Sequence, residues 1–278
     1  MTSALDRFRI DGKVAVITGG AGFLGVKHAE AILDAGGIPI LADINERAAL
    51  QRASDLSDKY NREVLGIYAD ITTSESVQDL SDRCADHFDN VDILINNAAN
   101  DPKVKQEKTD SVPWSRFEVF PDEIWNKDLS VGLTGAFLCS QVFGREMANR
   151  KQGVILNIAS DLGIIGPDQR IYRNNGISDD LQPVKPVTYS VAKHGLIGLT
   201  KYLATYWADK GVRVNALCPG GVYNGQPEAF VQKLTNLIPL GRMADIDEYK
   251  PAIIFLISDA SSYMTGASLI IDGGRTCW

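Results

Sequence analysis

The run VAVITGGAGFLG at residues 14–25 holds a strand, a turn and the start of a helix in succession. Residues 14–17 are apolar and mostly β-branched, flanked by Lys13 and Thr18, which is the pattern of a short parallel strand buried on both faces. Gly19, Gly22 and Gly25 then permit a tight turn, and a helical pattern continues to Ala35, closed by Gly36 and Gly37. In that order, the glycines let backbone amides at a helix N-terminus approach a dinucleotide pyrophosphate. Without such a context the same glycines would read as a plain turn.

Moving outward, residues 38–41 form a second strand that ends in Asp43, 18 positions after Gly25. A carboxylate there can accept hydrogen bonds from both ribose hydroxyls and would repel a 2′-phosphate. No Lys or Arg lies within the glycine turn to offset that charge, so NAD is expected in preference to NADP. Asp43 could also cap the helix that begins near Asn45. A third strand, 64–68, ends at Asp70, and a fourth, 91–95, runs into NNAAN at 96–100, with helices at 48–60 and 74–88 between. Residues 154–158 form a fifth strand that delivers Asn157 and Ser160, and 212–217 a sixth that runs into CPGGVYNGQ at 218–226. Helices are expected at 121–150, 189–208, 228–237 and 245–258, the third of these placed to close over a substrate. The last strand is 268–271, followed by DGGRTCW. Strict alternation of strand and helix predicts an α/β fold: a doubly wound parallel sheet with helices on both faces and ligands at its carboxyl edge. Asp70, Asn96 and Ala98 fall where an adenine and its ribose would lie.

A chain of 278 residues with 45% apolar content suits one domain over 1–278, with loop insertions at about 99–122 and 161–187. Loops of that length tend to be functional or disordered. The first carries Lys103, Lys105, Lys108 and Arg116; the second carries Arg170, Tyr172, Arg173 and Lys185. Arg170 and Arg173 are candidates to grip a substrate phosphate or carboxylate, with solvated arginines paired to nearby acids as the alternative. A net charge of -7 argues against nucleic acid as a partner. With no signal-peptide core and no apolar run near the roughly 20 residues that span a bilayer, a soluble, cytoplasmic protein is expected, with no membrane partner. Cys84, Cys139, Cys218 and Cys277 are scattered, and only His28, His87 and His194 are present, so no metal site is indicated.

The stretch TYSVAK at 188–193 sets Tyr189 and Lys193 one helical turn apart on one face. A phenol titrates near 10, so using it at neutral pH takes about 4 kcal/mol of preferential anion stabilisation, which an ammonium and a cationic nicotinamide can supply. Tyr206 and Lys210 share the spacing, but Lys210 precedes Gly211, a helix C-cap, and reads as a surface charge. Only Tyr189 follows a strand that ends at Ser160.

TGGAGFLG, Asp43, Asp70, NNAA at 96–99, NIAS ending at Ser160, YSVAK at 189–193, PGGV at 219–222 and the later DGG together resemble the short-chain dehydrogenase/reductase family, in family order along nearly the whole chain. The resemblance implies a Rossmann-type NAD(P)-dependent oxidoreductase that assembles as a homo-oligomer, a dimer or more usually a tetramer. By carry-over, Tyr189 is the general acid/base, Lys193 lowers its pKa and holds the nicotinamide ribose, and Ser160 donates to the reacting oxygen. Cofactor contacts carried over in the same way are Gly19, Gly22, Phe23, Leu24, Gly25, Asp43, Asp70, Ile71, Asn97, Ala98, Ala99, Pro219, Gly220, Val222 and Asn224. A weaker similarity, in the long loop, in VKPVTYSVAKHGLIGLTKY and in DGGRTCW, is to bacterial members linked to flagellin glycan and nonulosonic-sugar biosynthesis.

Three features depart from the classical pattern. The glycines fit TGxxGxxG, with Phe23 where glycine is usual. In SVGLTG, 130–135, Gly132 replaces the asparagine that in many members links the lysine through water to solvent. Ser160 and Tyr189 are 29 positions apart, a wide gap that gives the intervening loop, with Arg170, Tyr172 and Arg173, a role in shaping the substrate pocket. The expected activity is interconversion of a secondary alcohol and a ketone on a polar sugar, sugar phosphate or nucleotide sugar. The competing readings are a 3-oxoacyl reductase and a dinucleotide-binding regulatory partner with little turnover.

Overall fold

The computed structural model describes residues 3–100 and 112–278. Among these residues seven parallel strands form one sheet: β1 Val14–Thr18, β2 Ile38–Asp43, β3 Leu65–Tyr68, β4 Ile93–Asn96, β5 Gly153–Ile158, β6 Val212–Pro219 and β7 Ser268–Ile271. Their order across the sheet is β3-β2-β1-β4-β5-β6-β7. The chain therefore grows the sheet in one direction from β1, then returns and grows it in the other. That reversal opens a crevice between the carboxyl ends of β1 and β4, the place where ligands bind in such sheets.

Successive side chains of a strand face opposite sides, and here each side has its own core. Val14 and Val16 join Leu94, Phe143, Met147, Ile155 and Trp207 on one face, whereas Ala15 and Ile17 join Ile32, Leu41, Ile95, Ile253 and Leu256 on the other. Among the described residues there are eight α-helices, most of them packed on the two faces of the sheet: α1 Phe23–Asp34, α2 Glu46–Tyr60, α3 Ser74–Ala85, α4 Asp122–Leu129, α5 Gly135–Arg150, α6 Val187–Tyr206, α7 Glu228–Thr235 and α8 Lys250–Ile257. Asn45 and Thr73 cap α2 and α3 by accepting from the amides of Ala48 and Ser76.

Two expectations need correction. The helix expected over 121–150 is broken into α4 and α5 by a π-helical turn, Ser130–Thr134, centred on Gly132. There α6 packs closely: a Cβ on Gly132 would stand 3.3 Å from the Ala192 Cβ, and one on Gly195 would stand 2.8 Å from Leu133. The helix expected from 245 begins instead at Lys250, with Pro251 in its first turn, where a residue without an amide proton is tolerated. The segment before it is held by Arg242, Glu248 and the Asp245 amide. Lys103, Lys105 and Lys108 lie outside the described residues.

Candidate active site

The crevice is built by close backbone contact. Gly19 has φ +62, and a Cβ there would stand 2.9 Å from the Ala98 Cα; one on Gly25 would stand 2.3 Å from the Gly19 carbonyl oxygen. The Thr18 hydroxyl accepts from the amides of Asn97 and Ala98, both at 3.1 Å, and Asn97 Nδ2 donates to the carbonyls of Thr18 (3.0 Å) and Gly19 (3.2 Å). With its nitrogen so used, Asn97 presents Oδ1 to His28 Nε2 at 3.1 Å, which assigns the imidazole proton to Nε2. Burial pushes His28 down to about 4, so it is neutral near pH 7.

No side-chain hydrogen bond caps α1 at Gly22, so the amides of Phe23, Leu24 and Gly25, and the positive end of the helix dipole, face the crevice uncapped. Asp43 does not cap α2; Asn45 does. The Asp43 carboxylate instead accepts from the Ala21 amide (3.1 Å) and the Asn45 amide (3.0 Å), which fixes it at the rim of the glycine turn with acceptor capacity to spare. Asp70 Oδ1 accepts from the amide and hydroxyl of Thr72, and the neighbouring Ile71 is buried beneath Gly135. Ala99 is exposed beyond β4.

At the far end of the crevice, Pro219 closes β6, the Gly220 amide donates to Ile271, and Val222 bridges to Ala244. Gln226 ties this segment by donating to the Val222 carbonyl and accepting from the Asn224 amide. An uncapped helix start, a glycine cradle and an acidic rim in this order fit a nicotinamide dinucleotide.

Ser160 lies just past β5. Lys193 is buried, and its Nζ donates to the Ile158 carbonyl at 2.7 Å, two residues before Ser160. The same ammonium stands 5.8 Å from the Tyr189 ring centroid, and Lys185 Nζ stands 3.8 Å from it. Tyr189 thus has two cations near its ring. The turn after Ser160 packs on α6, since a Cβ on Gly163 would stand 2.8 Å from the Lys193 carbonyl.

The start of α6 is also clamped. Asp128, buried, accepts from Asn100 Nδ2 at 2.6 Å and from the Thr188 hydroxyl, joining the loop after β4 to α4 and α6 next to Tyr189.

Three residues here were not picked out as site residues from sequence. Lys185 precedes Tyr189 by four positions, just outside the start of α6, a spacing that could have drawn notice. Asp161 and Arg275 are 114 positions apart and carry no local signal, yet Arg275 Nη1 donates to Asp161 Oδ2 at 2.9 Å, and Ser160 Oγ donates to Asp161 Oδ1 at 2.7 Å.

The loop arginines follow the alternative weighed for them. Arg170 makes a bidentate pair with Asp168, whose hydrogen bonds from Arg170 hold that carboxyl down to about 2. Arg173 pairs with Asp179 at 3.6 Å, and both arginines are exposed. Tyr172 packs its ring on Phe230 of α7, centroids 5.7 Å apart, in a small cluster with Ile171, Leu234, Ile238 and Met243 that docks the 161–187 loop onto α7. An open cleft of ≈ 710 Å³ lies on the cofactor side, lined by Phe23, Tyr223, Asp245, Ile246, Asp247 and Glu248. Among the described residues, no group of three or more His, Cys, Asp or Glu could hold a metal ion, and no helix is long and apolar enough to cross a membrane.

Comparison with known proteins agrees with this geometry. A family model described as short chain dehydrogenase matches residues 13–172, and one described as enoyl-(acyl carrier protein) reductase matches residues 179–276. The chain is 32% identical over 274 residues to D-threitol dehydrogenase of Mycolicibacterium smegmatis, covering 97% of this chain and 95% of that protein. It is 32% identical over 278 residues to an NAD-dependent glycerol dehydrogenase of Listeria innocua, covering 97% and 96%. A solved gluconate 5-dehydrogenase of Burkholderia cenocepacia J2315, in complex with NADP and tartrate, superposes with a TM-score of 0.85 at 28% identity, over 99% of this chain and 100% of that one.

Proposed function

The chain belongs to the short-chain dehydrogenase/reductase family, oxidoreductases acting on CH–OH groups, and from that premise we propose that it uses NAD to interconvert a secondary alcohol and a ketone on a polyhydroxylated substrate such as a sugar, sugar phosphate or polyol. The observation that carries this reading is the buried Lys193, whose one ammonium joins the end of β5, two residues before Ser160, to the Tyr189 ring. Positive charge beside a phenol favours its anion, so Tyr189 can take the proton of a substrate hydroxyl and return it to a carbonyl. Ser160 donates to the reacting oxygen as negative charge develops there, where a fixed donor contributes most. A bound nicotinamide supplies the acceptor or donor of the hydride.

The preference for NAD rests on Asp43. The relatives named above include an NAD-dependent enzyme and an NADP complex, so the charge at the ribose rim of this chain is what favours one over the other. The polyol and sugar-acid activities of those relatives support a polar substrate. Arg170 and Arg173 would reach a substrate anion by exchanging Asp168 and Asp179 for it. Exposed Phe137 on α5, with Val191, Tyr202 and Tyr206 on α6, supports a homo-oligomer built on those two helices.

The test is NADH production from NAD with neutral sugars, polyols, sugar acids and sugar phosphates. Turnover is expected with one of these, falling by about 10²–10⁴-fold in Tyr189→Phe with NADH affinity near wild type. A Tyr189→Phe enzyme as fast as wild type would refute the assignment.

A further inference from the structure

Ser160 has one hydroxyl proton, and it lies on Asp161 Oδ1 at 2.7 Å. The proposed chemistry, on which this inference rests, needs the same proton on the reacting oxygen. An unbalanced carboxylate would retain that hydroxyl in a charge-assisted hydrogen bond and would stand near an oxygen on which negative charge builds. The structure meets both problems with Arg275. Its Nη1 stands 2.9 Å from the other carboxylate oxygen of Asp161, and the two side chains are only 7% and 5% exposed.

Arg275 is brought there by the turn after β7. Asp272 Oδ1 accepts from the Gly274 amide and Oδ2 from the Thr276 amide, both at 2.8 Å, while Gly273 and Gly274 take φ +68 and +91. The Leu162 amide donates to Asp161 Oδ1 at 2.8 Å and to Ser160 Oγ at 3.2 Å, so the serine oxygen stays anchored while its hydrogen turns.

We propose that Arg275 is a positioning residue for the reaction. By balancing Asp161 it lets the Ser160 hydroxyl pass from the carboxylate to the substrate oxygen, and it cancels the opposition of that carboxylate to the charge developing there. No bond to hydrogen breaks at Ser160 in this change; its O–H exchanges one acceptor for another.

The experiment compares wild type, Arg275→Met, Arg275→Lys, Asp161→Asn, Asp161→Asn/Arg275→Met and Tyr189→Phe, at saturating NAD on the best substrate found for wild type. NADH affinity is measured by fluorescence and melting temperature alongside turnover. Arg275→Met is expected to lower kcat by about 10- to 100-fold with NADH affinity near wild type, and Arg275→Lys to recover part of the loss. Within the Asp161→Asn background the same Arg275→Met change is expected to cost less than about threefold, because no carboxylate remains to be balanced.

A pair with a structural role alone would lower the melting temperature and leave kcat unchanged at temperatures where the protein is folded. That result, or an Arg275→Met loss as large with Asp161→Asn as without it, would overturn the proposal. If Arg275→Met does not fold, the two Asp161→Asn variants still decide: a double variant slower than Asp161→Asn by about tenfold overturns it. An unaffected Arg275→Met beside an inactive Tyr189→Phe refutes this proposal alone, whereas a wild type no faster than Tyr189→Phe refutes the reading of the site as well.

Discussion

Asp43 shows how far a single residue could be read. Its place at the end of β2 was plain from the spacing to Gly25, but its hydrogen bonds from the Ala21 and Asn45 amides depend on how the glycine turn folds back. Asp43→Ala is expected to narrow the NADH over NADPH preference in kcat/KM by about 10-fold or more, the size of one lost charge interaction; an unchanged ratio would leave Asp43 with the loop alone. His28 carried no functional signal in the sequence, and the structure gives it a pH consequence. Its folded-state value of about 4 lies below the ordinary 6.5, so between those values the folded protein holds fewer protons than the unfolded chain. The stability tied to neutral His28 is therefore full above about pH 6.5 and is lost as pH falls through about 4, amounting to roughly 3 kcal/mol. Melting temperatures taken from pH 7 to pH 4.5 should fall less steeply in His28→Gln than in wild type. Tyr189 and Lys193 were legible because i, i+4 spacing is local. Asp161 and Arg275 were not, because only the assembled sheet edge brings them together.

Among the elements, the strands were the most readable, since a strand buried on both faces must be a short apolar run whatever its neighbours do. VAVIT of β1 is buried at every position. The π-helical turn was invisible, because Gly132 carries no pattern of its own and the close approach of Ala192 comes from another helix. The α6 clamp belongs to the same class. Thr188→Val keeps the shape of the side chain but removes a donor from the buried Asp128, which is expected to cost about 1–3 kcal/mol in urea unfolding. It should also lower kcat, since the first turn of α6 carries Tyr189; a variant of wild-type stability would show that Asp128 finds its donors elsewhere.

For the molecule as a whole, the alternation of strand and helix predicted the doubly wound sheet, and the face left over suggests its assembly. Tyr202 and Tyr206 stack at 5.8 Å on the exposed side of α6. Light scattering should report a multimer for wild type and a smaller species for Tyr202→Glu/Tyr206→Glu; a monomeric wild type would exclude the oligomer. The strand order bears on how the protein comes off the ribosome. Translation runs from β1 outward to β3, back to β4 and then strand by strand to β7, so the glycine cradle and its β4 partner are complete before β5 has been made. Arg275 is added only after all seven strands. By the proposal made for Arg275, a released chain cut between β7 and that arginine would keep the nucleotide cradle but leave Asp161 without its partner, and is expected to hold cofactor while turning over more slowly than the full chain.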